Sequence, residues 1–137
     1  MCLGCGRAAI VPNCRGARIL LASQHGDLRD GLRAMLSNAG HEVVETADAG
    51  VALHAYAAAP ADVVILDVLA PGRMEAPEFL RQMRRTYPDA RVVTMAGRPS
   101  FRGVDPLAIT LALGATRAIR MPLSRDEFLR VVDEARA

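Results

Sequence analysis

Short aliphatic runs alternate along this chain with stretches in which apolar residues recur every three or four positions. "ARILLA" (17–22) reads as a strand, and "DLRDGLRAMLSNAG" (27–40) places Leu28, Leu32, Met35 and Leu36 on one helical face before Gly40 supplies a stop. "HEVVETA" predicts a second strand, and "DAGVALHAYAAAP" a second helix that ends ahead of Pro60. "ADVVILD" (61–67) carries no polar alternation, the mark of a parallel strand covered on both faces. "APEFLRQMRRTYP", "ARVVTMA", "DPLAITLALGA" and "TRAIRM" continue the alternation of helix and strand. The last helix opens on a capping box, Ser124 to Glu127, in which serine oxygen and glutamate carboxylate satisfy free backbone amides. Five β–α units predict an α/β fold, a single doubly wound five-stranded parallel sheet with helices on both faces and right-handed crossovers. The domain is expected over 18–137, after a flexible N-terminal extension over 1–17, with no second domain, repeat or linker.

Composition narrows the function classes. At 137 residues the chain is long enough to bury a core without staples. The formal charge is +2, and all 17 basic residues are arginine, so lysine chemistry is excluded. Codon bias explains that usage more simply than function does. No apolar run has the length of a membrane span, and residues 1–17 lack the charged-then-apolar order of a signal peptide, so a cytoplasmic protein without membrane contact is expected. No recognition-helix motif or sustained basic stripe supports direct nucleic-acid binding, and Arg81, Arg84 and Arg85 read as a solvated face. Cys2, Cys5 and Cys14 include a CxxC spacing, but a structural zinc site wants four ligands and only His25 or His41 could complete this one. The CxxC also lacks the strand–helix context of a redox motif, so a frayed extension is the plainer reading.

In a doubly wound sheet, the reaction or ligand site lies beyond the carboxyl ends of the strands. Those ends carry Ser23 and Gln24, then Asp67, then Met95 and Ala96, then Met121 and Pro122, and among them only Asp67 ionises. Asp67 by itself reads as a solvated acid at a strand end, held by amides of the following loop. His25 could reach the mouth of the site from the first loop, but a surface imidazole is the plainer reading. Met95 and Met121 read as space-filling beside the site, since thioether ligation of a metal usually needs further soft ligands.

At these residues the chain resembles a known family. "ILLASQHGDLRDGLRAML", "ADVVILDVLAPGRMEAPEFLRQMR" and "GATRAIRMPLSRDEFLRVV" are similar to the receiver domains of bacterial response regulators. The resemblance implies a flavodoxin-like sheet of order 2-1-3-4-5. It places Asp67 at the phosphoacceptor position, Pro71 and Gly72 on the turn that follows, and Pro122 on the proline of the family's Lys-Pro step. It also implies a degenerate site. Ser23 and Gln24 stand where the family has two acidic magnesium ligands, Met95 where it has a Ser/Thr, Met121 where it has a lysine, and Ala118 where it has the switch aromatic. Magnesium would keep Asp67 and the carbonyl of Leu69, so no cofactor is expected beyond weakly held magnesium. Thr94 and Arg120 are expected to point to the opposite face, by strand alternation.

The function expected is a stand-alone, atypical receiver acting as a phosphorylation-independent protein-interaction module in bacterial signal transduction. It is not expected to be an enzyme beyond weak autophosphorylation of Asp67. The alternative is a working receiver phosphorylated at Asp67 by a histidine kinase with weakly bound magnesium. Partners implied are a histidine kinase or a downstream effector, with a homodimer through helix four, strand five and helix five. Helix four is apolar on almost every face, which nominates Leu107, Ile109 and Leu111 as the interaction face, against a plain exterior of Ala108, Thr110 and Ala112. An FMN-binding flavodoxin is disfavoured, because "SQHGDLRD" lacks the closely spaced Ser/Thr and Gly residues of a phosphate cradle.

Overall fold

The computed structural model describes residues 16–68, 76–97, 105–121 and 123–136. Its elements run β1 (Arg18–Ala22), α1 (Gly26–Asn38), β2 (Glu42–Thr46), α2 (Ala49–Ala58), β3 (Val63–Asp67), α3 (Ala76–Thr86), β4 (Val92–Ala96), α4 (Pro106–Ala112), β5 (Arg117–Arg120) and α5 (Arg125–Arg136). All strand pairings are parallel and the sheet order is β2-β1-β3-β4-β5. This is the flavodoxin-like order expected from the resemblance.

Strand alternation divides the core into two layers. Leu20, Val64, Leu66 and Val92 point to the side covered by α2 and α3, where they meet Ala52, Tyr56, Phe79, Leu80 and Met83. Ile19, Leu21, Val63, Ile65, Val93, Met95 and Ile119 point to the other side and meet Leu32 and Leu36 of α1 and Phe128 and Val132 of α5. Each large aliphatic side chain so enclosed contributes roughly 1.5–3 kcal/mol relative to exposure. Every residue of β3 is buried, which is why its sequence shows no alternation. Edge strand β2 is mostly exposed.

The helix ends are set by local chemistry. Asp48 caps α2 by accepting from Val51 N–H at 2.8 Å, and Asp105 caps α4 by accepting from Leu107 N–H at 3.1 Å. The expected capping box is present: Glu127 N–H donates to Ser124 Oγ at 3.1 Å, and Ser124 N–H donates to Glu127 Oε1 at 3.2 Å. Hydrogen bonds from Ser124 hold the Glu127 carboxyl below its usual range. The chain leaves α1 and α4 through Gly40 (φ 95°) and Gly114 (φ 109°), in the left-handed region that suits glycine.

Two expectations are corrected here. Arg84 is not part of a solvated face: its guanidinium donates to the carbonyls of Gly114 (Nε, 2.9 Å), Pro88 (3.1 Å) and Ala90, tying the end of α3 to the α4–β5 turn. A Cβ on Gly114 would lie 2.9 Å from Arg84 Nε, so this turn is closed around the clamp. Gly16 and Ala17, assigned by sequence to the extension, belong to the folded unit. Ala17 is 2 % exposed and its N–H donates to His41 Nδ1 at 3.0 Å, while a Cβ on Gly16 would collide with Gly40 O. Burial, followed by the neighbouring Arg136 charge, lowers the pKa of His41. Cys2, Cys5 and Cys14 lie outside the described residues.

Candidate functional site

The carboxyl ends of β1 and β3 bring three side chains together. Ser23 follows β1 and is held beside β2 by its N–H, which donates to Thr46 O at 3.1 Å. Ser23 is fully buried, and Asp67, the last residue of β3, is 6 % exposed. Ser23 Oγ donates to Asp67 Oδ2 at 3.0 Å and accepts from His25 N–H at 3.1 Å. His25 is the N-cap residue of α1, yet its side chain makes no capping bond. Instead its Nδ1 lies 2.8 Å from Asp67 Oδ2, while 56 % of the side chain remains exposed. One turn along α1, Arg29 Nη1 donates to Ser23 O at 2.6 Å and its Nε pairs with Glu45, which Arg33 also engages.

Asp67 is therefore not a solvated acid, and His25, exposed as a surface imidazole would be, also reaches the mouth of the site from the first loop. Sequence reading placed His25 within reach of the site but could not assign its contact with Asp67, because a histidine after a strand end carries no signal of which way its ring turns. The one available sign was its position: a residue that caps poorly stands at the first turn of α1, beside the strand-end acid. Gln24 is exposed.

The other strand ends give the site an apolar wall. Met95 is the register partner of Asp67, and Val68 N–H donates to Met95 O at 2.9 Å. Met95 is 1 % exposed and lies in the layer covered by α1 and α5, against which Met121 also packs. Thr94 faces the opposite side of the sheet and is fully buried. Thr110 donates its hydroxyl to Leu107 O at 2.8 Å, so the 2.8 Å contact between the two threonine hydroxyls is donated by Thr94. On that same side, Arg120 pairs with both carboxylate oxygens of Asp105 at 2.8 Å, and this hydrogen bonding holds the Asp105 carboxyl below its usual range. Ala118 is the register partner of Thr94 and places only a methyl group there.

Helix α4 departs from the expected interaction face. Leu107 is 5 % exposed and faces inward, whereas Ile109 and Leu111 are 40 % and 48 % exposed. Thr110 is not part of the exterior either, being 1 % exposed. A seven-residue helix with apolar residues all round has no periodicity from which the buried positions could be assigned. Leu69, Pro71, Gly72 and Pro122 lie outside the described residues.

Among the described residues the donor set falls short of the near-octahedral oxygen ligation that magnesium asks for. The described site offers one carboxylate, whose Oδ2 is engaged by Ser23 and His25, and a serine hydroxyl already committed on both its donor and acceptor sides. Among the described residues no group of three or more His, Cys, Asp or Glu side chains could hold a metal ion, and no helix is long and apolar enough to cross a membrane.

Residues 19–133 match the response regulator receiver domain family. The DNA-binding transcriptional regulator NtrC of Rhizobium meliloti is 33% identical over 86 residues, which are 63% of this chain and 18% of that protein. The chain thus spans less than a fifth of that curated relative. The crystal structure of the receiver domain of NtrX from Brucella abortus superposes with a TM-score of 0.78 at 27% identity, over 85% of this chain and 96% of that one. The chemotaxis response regulator CheY4 of Vibrio cholerae gives a TM-score of 0.76 at 25% identity, over 88% of this chain and 98% of that one.

Proposed function

We propose, for a chain that belongs to the response regulator receiver domain family, that it serves two-component signalling as a protein-interaction module whose binding does not depend on phosphoryl transfer to Asp67 or on magnesium. The observation that carries this reading is the closure of the site by its own side chains. Asp67 Oδ2 accepts from Ser23 and lies against His25, and a buried methionine faces it across the register. Phosphoryl transfer depends on positioning and charge neutralisation, with little covalent work left to the protein. Here the dication's carboxylates and the lysine are absent together, and Met95 and Met121 provide an apolar wall in their place.

The output side supports the same reading. A hydroxyl that moved toward a phosphoryl group would come from β4, but Thr94 is bonded to α4 on the other face of the sheet. With Arg120 on Asp105 and Arg84 on Gly114, α4 is tied near both ends and in its middle. It presents Ile109 and Leu111 in one fixed position, suited to a signalling partner, whether a histidine kinase, a downstream effector or a second copy through α4, β5 and α5.

The test is an amide NMR titration of the intact chain with magnesium and beryllofluoride, beside Asp67→Asn. The expected result is no saturable shift in β4, α4 or β5 amides at millimolar magnesium. Saturable shifts in the wild type that vanish in Asp67→Asn would overturn the proposal.

A further inference from the structure

We infer that His25 Nε2 is a phosphoryl-accepting nucleophile, a modification site separate from Asp67. The inference goes beyond the interaction role proposed above and begins from the His25–Asp67 contact. A carboxylate oxygen only accepts, so at 2.8 Å from Asp67 Oδ2 the hydrogen of the neutral ring sits on Nδ1. The lone pair then resides on Nε2. Asp67 is 6 % exposed and further fixed by Ser23, so the ring is held by an anchored partner, while 56 % of the His25 side chain remains open to solvent. The main chain of His25 is fixed as well, by its N–H on Ser23 Oγ and by Arg29 N–H donating to its carbonyl at 2.8 Å. An imidazole held through Nδ1 by a buried carboxylate, on a side chain more than half exposed, is an oriented nitrogen nucleophile.

The backbone at the start of α1, not its side-chain charges, suits an anionic donor. The ring stands at the N-terminal end of a 13-residue helix, where backbone N–H groups favour negative charge; Asp27 shares that first turn, and Arg29 is already paired with Glu45. The donor class is an N-phosphoryl compound, a phosphoramidate or a phosphohistidine on a partner. In the transfer, His25 Nε2 supplies the electron pair for the new N–P bond. The donor's N–P bond breaks, and its pair leaves on the donor nitrogen, which takes a proton from water. Nδ1–H stays on Asp67, which balances charge on the phosphorylated ring. One N–P bond replaces another, so no oxidant and no further co-reactant is required.

The chain contains its own control. Of its three histidines, His54 is exposed on α2 away from any such carboxylate contact, and His41 is buried with Nδ1 accepting from Ala17 N–H. The experiment treats the full chain with phosphoramidate and follows 31P NMR and site mapping in the wild type, His25→Gln, His54→Gln and Asp67→Asn. Expected are an acid-labile, hydroxylamine-stable phosphohistidine at His25, formed at least about tenfold faster than at His54 and lost in His25→Gln. Asp67→Asn, which no longer imposes the tautomer, should slow it by about 10- to 100-fold. Equal labelling of His25 and His54, or no label on His25, overturns the inference and leaves the interaction role standing. A hydroxylamine-labile label that survives His25→Gln and disappears in Asp67→Asn overturns both.

Discussion

The two faces of β4 and β5 differ in kind. On the face turned to α1 and α5, Met95, Ile119 and Met121 form an apolar surface beside Asp67. On the face turned to α4, Thr94 and Arg120 bond to Thr110 and Asp105, and Ala118 lies between them in sequence. The polar groups that could speak to a phosphoryl group are thus one residue out of phase with the site, and strand alternation makes that one residue the whole thickness of the sheet. Their hydrogen bonds tie α4 to the sheet instead. The comparison teaches that side-chain phase along a strand, more than composition, decides which groups reach the strand-end site and which bond to α4.

Moving a hydroxyl across that divide gives the largest expected effect. Met95→Thr puts one opposite Asp67 but removes a buried thioether, and should lower unfolding free energy by about 2 kcal/mol in urea titrations. The beryllofluoride response should stay absent, because the hydroxyl restores neither cation nor metal ligands. A gain of response would show that hydroxyl phase, and not the charges at the site, limits it.

Thr94→Val tests the other face at near-constant volume. It removes the bond donated to Thr110 and should cost about 1 kcal/mol, while Thr110 keeps its bond to Leu107 O. Adding Thr110→Val should cost less than the sum of the two single changes, since each removes the same contact. Strict additivity would deny that the pair staples α4.

Arg120→Met gives the smallest effect, because the Asp105 pair is partly exposed. It should speed hydrogen exchange in the first turn of α4 with little change in global stability. The pair also sets an acid limit. The pKa of Asp105 is lowered from 3.8, chiefly by its hydrogen bond from Arg120, so its contribution is complete above 3.8 and is lost as pH falls through the lower folded value. In Arg120→Met, exchange at the start of α4 should lose most of that acid dependence. Unchanged exchange would place the anchor elsewhere.

Much of this architecture was legible in the chain. The unalternated "VVILD" identified a central strand because burial on both faces permits no polar position there, and Ser124 with Glu127 identified the start of α5 because a capping box is a local bond. Asp67 was legible as the one ionisable residue among those the sequence placed at the strand ends. Arg84 was not, because its partners are carbonyls whose convergence depends on how α3 and the α4–β5 turn come together. Leu107 could not be distinguished from Ile109 and Leu111 for the same reason: only the packing of α4 on the sheet decides which apolar residue is inside.

The sequence by itself determined the order of elements, the parallel sheet and the residues at its carboxyl ends, since periodicity, caps and strand phase are short-range properties of the chain. Tertiary structure alone decided that His25 closes on Asp67 across 42 residues, that Thr94 is committed to α4, and that Arg84 binds a turn 30 residues away. A side chain's direction and its partner depend on distances between segments that no local pattern encodes, and hydrogen bonds a few ångströms long are decided by those distances.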